Sequence, residues 1–202
     1  MRNIAIMGSS GGSGKDTVAR IINELSGNKY SIDSLGGPIH KAADDFVGGK
    51  AKREYLQQYG EAVRKIFGED VWIKQVDKKV RKNRDNGLGT IIPDVRKMLE
   101  FAHFGIEKKF LPIYVCVSPR VARERLVQRD GGYEEKSMQD GIEKQMRFIE
   151  SLPAVSYQEK NFKMVDLESG GALNQIAIIN NDGSLNELKY QLEDWWEVFG
   201  KE

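Results

Sequence analysis

Near the amino terminus, Gly8-Ser9-Ser10-Gly11-Gly12-Ser13-Gly14-Lys15-Asp16-Thr17 lies between an apolar run, Asn3–Met7, and an amphipathic pattern, Asp16–Leu25. By composition alone this segment reads as a flexible Gly/Ser linker. Its flanks argue otherwise, because a linker should not join a buried strand to an amphipathic helix at the start of a domain. A dinucleotide-binding turn is a second reading. Gly12-x-Gly14 lacks the third glycine of G-x-G-x-x-G, where Thr17 stands, although Asp33 follows at about the expected 20 residues. The third reading is a phosphate-binding loop. Glycines let successive backbone N–H groups converge on phosphate oxygens, the helix N-terminus adds partial positive charge, and Lys15 reaches the β/γ-phosphates. The pattern G-x-x-x-x-G-K-[ST] is broken twice. Ser9 stands at the first glycine with Gly8 one place early, and Asp16 stands where Ser/Thr should meet magnesium, with Thr17 next to it. The strand–loop–helix context favours the phosphate loop, with Gly11, Gly12, Ser13, Gly14, Lys15, Asp16 and Thr17 as the nucleotide-binding residues.

The rest of the chain supplies the frame. Short apolar runs at Asn3–Met7, Tyr30–Asp33, Thr90–Pro93, Pro112–Val117 and Gln175–Asn180 read as buried strands. Helical patterns at Asp16–Leu25, Glu54–Phe67, Val71–Val80, Arg120–Arg129 and Leu185–Phe199 alternate with them. That alternation predicts an α/β fold, a three-layer α/β/α sandwich around a mostly parallel five-stranded sheet. The length of 202 residues suits one domain. Two stretches fall outside the alternation. Two helices separate the second and third strands, within residues 34–88, and a helical stretch, Tyr133–Glu150, lies in the 130–152 region before the last strand. Both are excursions suited to covering a ligand.

Composition excludes several classes. With 31 Lys+Arg against 30 Asp+Glu the net charge is +1, which argues against a broadly basic nucleic-acid binder. The one cysteine, Cys116, forms no internal disulfide. The opening apolar run is too short for a signal peptide, and no stretch approaches ~20 apolar residues. The expectation is a cytoplasmic protein with small-molecule nucleotide partners, no nucleic acid and no membrane; the sequence leaves its oligomeric state open. The 21 glycines exceed the ~14 of average usage, and four of them lie in the one loop.

Beyond that loop the chain resembles a family. Gly14-Lys15-Asp16-Thr17 is similar to the G-K-D-T loop of phage-type deoxynucleoside monophosphate kinases. Leu56-Gln57-Gln58-Tyr59-Gly60-Glu61-Ala62-Val63-Arg64 with Asp70-Val71-Trp72 resembles their L-Q-x-x-G-x-x-x-R…D-V-W segment. Ile92-Pro93-Asp94-Val95-Arg96 resembles their D-V-R at the end of the third strand, and Ile179-Asn180-Asn181-Asp182-Gly183-Ser184-Leu185-Asn186-Glu187-Leu188 resembles the last strand and helix shared by several P-loop kinases. The resemblance implies ATP-dependent phosphoryl transfer to a (deoxy)nucleoside monophosphate, with ATP and Mg²⁺ as cofactors, an acceptor-binding region at 34–88 and a lid at 130–152.

In that scheme Lys15 holds the donor, and Thr17 and Asp94 serve Mg²⁺. Arg64 and Arg96 offer forks to the acceptor phosphate. Trp72 walls or stacks on the base, Asp33 touches the acceptor, and Arg125 and Arg129, four residues apart at the lid entrance, act on the transferring group. The catalytic set is then Lys15, Asp94, Arg125 and Arg129. Each has a plainer alternative: a solvated face for Arg64, Arg125 and Arg129, core packing for Trp72, a cap for Asp94 or Asp33. The family's D-P-L-K segment is altered here, with Gly37 and His40 at its charged places. His103 reads as a core histidine and Cys116 as packing. Two other functions compete. Dephospho-CoA kinase shares the lid and last-strand look, but its D-x-D after the second strand is here Asp33-Ser34-Leu35. A nucleotide-binding protein without transfer activity is the other.

Overall fold

The computed structural model describes residues 1–130, 145–169 and 172–201. The strands are β1 (Ile4–Gly8), β2 (Tyr30–Ile32), β3 (Gly89–Ile92), β4 (Leu111–Cys116), β5 (Val155–Ser156), β6 (Lys163–Ser169) and β7 (Ala172–Asn180). The helices are α1 (Lys15–Leu25), α2 (Gly37–Val47), α3 (Arg53–Phe67), α4 (Val71–Asp85), α5 (Met98–Phe101, continued as a π-helical turn over Ala102–Glu107), α6 (Pro119–Asp130) and α7 (Leu185–Phe199), with a 3-10 turn at Arg147–Ser151.

One sheet runs in the order β2-β3-β1-β4-β7-β6-β5. The first five of these strands are parallel, in registers such as Ile4↔Ile91, Ile6↔Ile113 and Ile113↔Ala177. They are the five apolar runs of the sequence. Ile4, Ala5, Ile6 and Met7 of β1 are wholly buried, as expected of a central parallel strand covered on both faces. One face packs Val18, Ala19 and Ile22 of α1 with Leu188, Leu192 and Trp195 of α7. The other packs Trp72, Ile73 and Val76 of α4 with Phe101 and Phe104. The three-layer α/β/α arrangement follows.

Three expectations need correction. The sheet has seven strands rather than five, because β6 and β5 add an antiparallel flank to β7. A search for continuous apolar runs misses β6, whose exposed Lys163, Asp166 and Glu168 flank buried Met164 and Val165. Three helices, not two, separate β2 from β3. The added one, α2, starts with Pro38 in its first turn and stops at Gly48, which takes a left-handed φ of 69°, a start-and-stop pair that glycine and proline favour. The stretch expected as helix over Tyr133–Glu150 ends in the 3-10 turn; 131–144, including Gly131 and Gly132, lie outside the described residues. Among the described residues no helix is long and apolar enough to cross a membrane.

Chain order sets the site. From β1 the chain moves outward to β2 and returns through β3, while β4 lies on the opposite side of β1. The loop after β1 therefore opens at the point where strand order reverses, the place where open α/β sheets bind ligands.

Candidate active site

The loop leaves β1 at Gly8 and is fastened to β4 at once. The Ser9 amide donates to the Val115 carbonyl at 3.1 Å, and the Val117 amide donates to Ser9 Oγ at 3.3 Å. Gly12 and Gly14 take φ of +79° and +89°, a region costly for any residue with a Cβ. Gly14 caps α1, so the helix N-terminus opens into the loop. Lys15 Nζ curls back to donate to the Ser10 carbonyl and to Ser13 Oγ, each at 3.0 Å. A Cβ on Gly8 would stand 3.0 Å from that ammonium and 2.6 Å from Ser13 Oγ. Gly8, one place early in the formal pattern, therefore supplies the close approach that the lysine needs.

Two elements support this loop from outside. Asn181, after β7, donates its side-chain amide to the buried Ser13 carbonyl at 2.8 Å and its backbone amide to Cys116 at 2.9 Å. Helix α6 packs on Gly12, whose Cβ would lie 2.7 Å from the Ala122 carbonyl. On the following turn, Arg125 Nη1 is buried and has no hydrogen-bond partner among the described residues. A charged donor in that state costs ~1–3 kcal/mol or more; an anion in the loop would relieve it. Arg129 lies further along the same helix and is exposed. The observation fits a triphosphate. Thr17, half-buried in the first turn of α1, and Asp94 offer the hard oxygen donors Mg²⁺ prefers; Gly11 is half-buried and Asp16 exposed.

Asp94 ends β3 as expected, and both its oxygens are engaged. They accept the Leu35 and Gly36 amides at 2.8 Å each, clamping the turn after β2 to the end of β3. Asp33, at the end of β2, is a structural tie. Its carboxylate accepts from Ser31 Oγ (2.8 Å) and Asn83 Nδ2 (2.8 Å) and pairs with Lys79 at 3.2 Å. Burial pushes its pKa up, but the hydrogen bonds from Asn83, Ser31 and Lys79 outweigh it and hold Asp33 below the ordinary value.

The two candidate acceptor arginines meet at one residue that the sequence reading passed over. Glu100 is 5% exposed. Its Oε2 accepts the amides of Arg96 (2.8 Å) and Lys97 (3.0 Å), and its Oε1 lies 3.7 Å from Arg64 Nη2. Burial raises its pKa against those amides. Arg64, on α3, also pairs with Glu61 at 2.6 Å. Arg96 keeps its side chain exposed. Trp72 is 6% exposed and donates Nε1 to the Gly60 carbonyl at 3.2 Å, so the structure places it in the α3–α4 contact. His103 bridges Asp77 (3.0 Å) and Glu107 (3.2 Å) outside this site. Cys116 is half-buried with its Sγ on the Ile179 carbonyl. Glu100 carried one sequence signal, an acidic residue in the first turn of a helix that follows a strand. Asn181 sat inside the quoted N-N-D-G-S turn, but nothing in the sequence paired it with Ser13.

No family model and no curated protein matches the chain. Solved structures do. An unliganded sugar kinase from Janibacter sp. HTCC2649 aligns with a TM-score of 0.53 at 13% identity, over 98% of this chain and 96% of that one. A gluconokinase from Sinorhizobium meliloti 1021 aligns at 0.45 and 14% identity, over 100% of this chain and 98% of that one. A shikimate kinase from Acinetobacter baumannii, solved with shikimate, aligns at 0.42 and 13% identity, over 75% and 77%. At such identity the likeness to the sugar kinase concerns the fold, and it agrees with the sheet order and loop position: this chain has the P-loop kinase fold.

Proposed function

We propose that the protein transfers the terminal phosphoryl group of ATP to a (deoxy)nucleoside monophosphate. The observation that carries phosphoryl transfer is the loop itself, with Lys15 turned into it and helix α6, which bears Arg125, packed on its Gly12. When bound, Mg²⁺ would neutralise the donor phosphate oxygens, with Thr17 and Asp94 as its protein-side oxygens. Because both Asp94 oxygens already accept backbone amides, contact to that ion through water suits it best. Lys15 and the loop amides bind and orient the donor, and Arg125 and Arg129 offset charge on the transferring group. Arg64, paired with Glu100, and Arg96, whose backbone amide Glu100 holds, would meet the acceptor phosphate.

The acceptor class rests on the two strand-end carboxylates. A hydroxyl acceptor benefits from a carboxylate base, whereas a monophosphate is already anionic and needs only charge and alignment. Asp33 takes three side-chain donors and Asp94 two backbone donors. Neither is set up as a base. The motif resemblance, from Leu56 to Trp72 and from Asp94 to Arg96, points the same way. The sugar kinase of similar fold favours a hydroxyl acceptor as the second reading. The deciding assay is ADP formation from MgATP against a panel of ribo- and deoxyribonucleoside monophosphates, dephospho-CoA and simple sugars, with product identity by mass. Turnover with a monophosphate, lost at least about a thousandfold in Lys15→Ala, is the expected result. Turnover with a hydroxyl acceptor alone replaces the reading. Tight ATP binding without transfer to any of them leaves a binding protein.

A further inference from the structure

Outside the residues already assigned, the described cation set directly on the phosphate loop is Arg147. It opens the 3-10 turn Arg147–Ser151, whose neighbours Met146 and Ile149 are each 1% exposed and packed in the core beneath the sheet. That burial fixes the backbone and directs the arginine to the loop. Its Nε donates to the Ser9 carbonyl at 3.1 Å. The next carbonyl, Ser10, holds the Lys15 ammonium. Two cations therefore cap adjacent carbonyls of one loop, one arriving from within it and one from 138 positions along the chain.

The nearest acid on the same turn is committed elsewhere. Glu150 accepts from Tyr114 Oη at 2.8 Å. Burial and then Glu150 itself drive the Tyr114 pKa far above its ordinary value, so the phenol stays a donor and keeps Glu150 in place. Among the described residues Arg147 has no carboxylate within ion-pair distance. A guanidinium carries five N–H donors, and the Ser9 contact uses one. With Nε anchored on the loop, the terminal N–H groups remain as a fork of the kind that matches phosphate oxygens.

We propose that Arg147 is a further ligand of the bound nucleotide's phosphates, completing a cationic set with Lys15 and Arg125. This rests on the reading of the loop as a triphosphate site. The test is titration of the whole protein with MgAMP-PNP, for the native chain, Arg147→Ala and Arg147→Lys, each also melted without nucleotide. Arg147→Ala should bind about tenfold to a hundredfold more weakly, and millimolar guanidinium should recover part of that loss. Arg147→Lys, which keeps the charge and loses the fork, should fall between. If the alanine variant fails to fold, the lysine variant decides on the same measure. Binding within twofold of the native chain overturns the inference. So does weaker binding that guanidinium leaves untouched while the nucleotide-free melting temperature drops, since that is a purely structural tie. If the native chain itself binds no MgAMP-PNP, the loop reading fails first and this inference falls with it.

Discussion

The contact between Gly14 and Asn181 allows a sharp test of how the loop is held. Asn181 is 6% exposed, Ser13 is fully buried, and the Asn181 amide satisfies the Ser13 carbonyl at 2.8 Å. Truncation in Asn181→Ala leaves that carbonyl buried without its donor, at a cost of ~1–3 kcal/mol. At about 2–4 °C per kcal/mol for a chain of this size, the melting temperature should fall by roughly 2–12 °C. Gly14→Ala adds two burdens at once. Its φ of +89° costs an alanine ~1–2 kcal/mol, and the new Cβ would overlap the Asn181 amide and displace it. In the native background Gly14→Ala should therefore cost the backbone strain plus the lost hydrogen bond. In the Asn181→Ala background only the strain remains. The cycle should show a coupling of ~1–3 kcal/mol, the double variant being more stable than the sum of the singles. Urea unfolding of the four proteins, with a common m-value, measures it. Additivity within about 0.5 kcal/mol would refute the idea that Gly14 is glycine because Asn181 stands against it.

Three further outcomes follow from the same site. Glu100 has a raised folded pKa, so its contribution to stability is greatest below the ordinary glutamate pKa and fades as pH rises through the folded one. Glu100→Gln should therefore gain stability relative to the native chain as pH rises above the ordinary glutamate pKa; parallel urea-stability profiles would count against that. Asp33 is held low, so its contribution is present above the ordinary aspartate pKa and is lost as pH falls through the folded value. Asp33→Asn should cost ~1–3 kcal/mol at pH 6, with the gap to the native chain narrowing near pH 3, as acid-dependent chemical unfolding can show. Trp72→Phe removes the hydrogen bond to Gly60 and should cost ~1 kcal/mol of stability. Acceptor KM should change less than twofold; a tenfold rise would move Trp72 from packing to the base.

What could be read without coordinates divides along a physical line. Features written in consecutive residues were legible: the apolar strands, the Gly-rich turn into α1, the arginines spaced along α6. Each depends on period, local φ or a short spacing. Features made by long closures were not. Glu100 joins α3 to the turn after β3, Asn181 reaches Ser13 across 168 positions, and Arg147 reaches Ser9 across 138. None of these pairings has a local signature, even where one partner does, because only the strand order of the sheet brings the two together. β6 was missed for a different reason: its solvent-facing Lys163, Asp166 and Glu168 break the continuous apolar run that marked the inner strands.

This division bears on the chemistry as well. Overall charge is balanced at +1, yet Lys15 and Arg147 both bond to one loop, and Arg125 lies on the helix packed against it. Such crowding is unfavourable among the cations themselves, and the structure offsets it with what lies nearest. Ser9 and Ser10 carbonyls take two of the charges, and Arg125 leaves one buried nitrogen without a partner among the described residues. Loop carbonyls are weak substitutes for phosphate oxygens, since hydrogen bonds between ionised partners are roughly twice as strong as neutral ones. An incoming polyphosphate would exchange these contacts for better ones without rebuilding the scaffold, because β4, α6 and Asn181 already fix the loop from outside. Rigidity at this loop thus comes from neutral hydrogen bonds and packing, which leaves the scaffold unchanged when, in the proposed reading, the cations turn to a ligand.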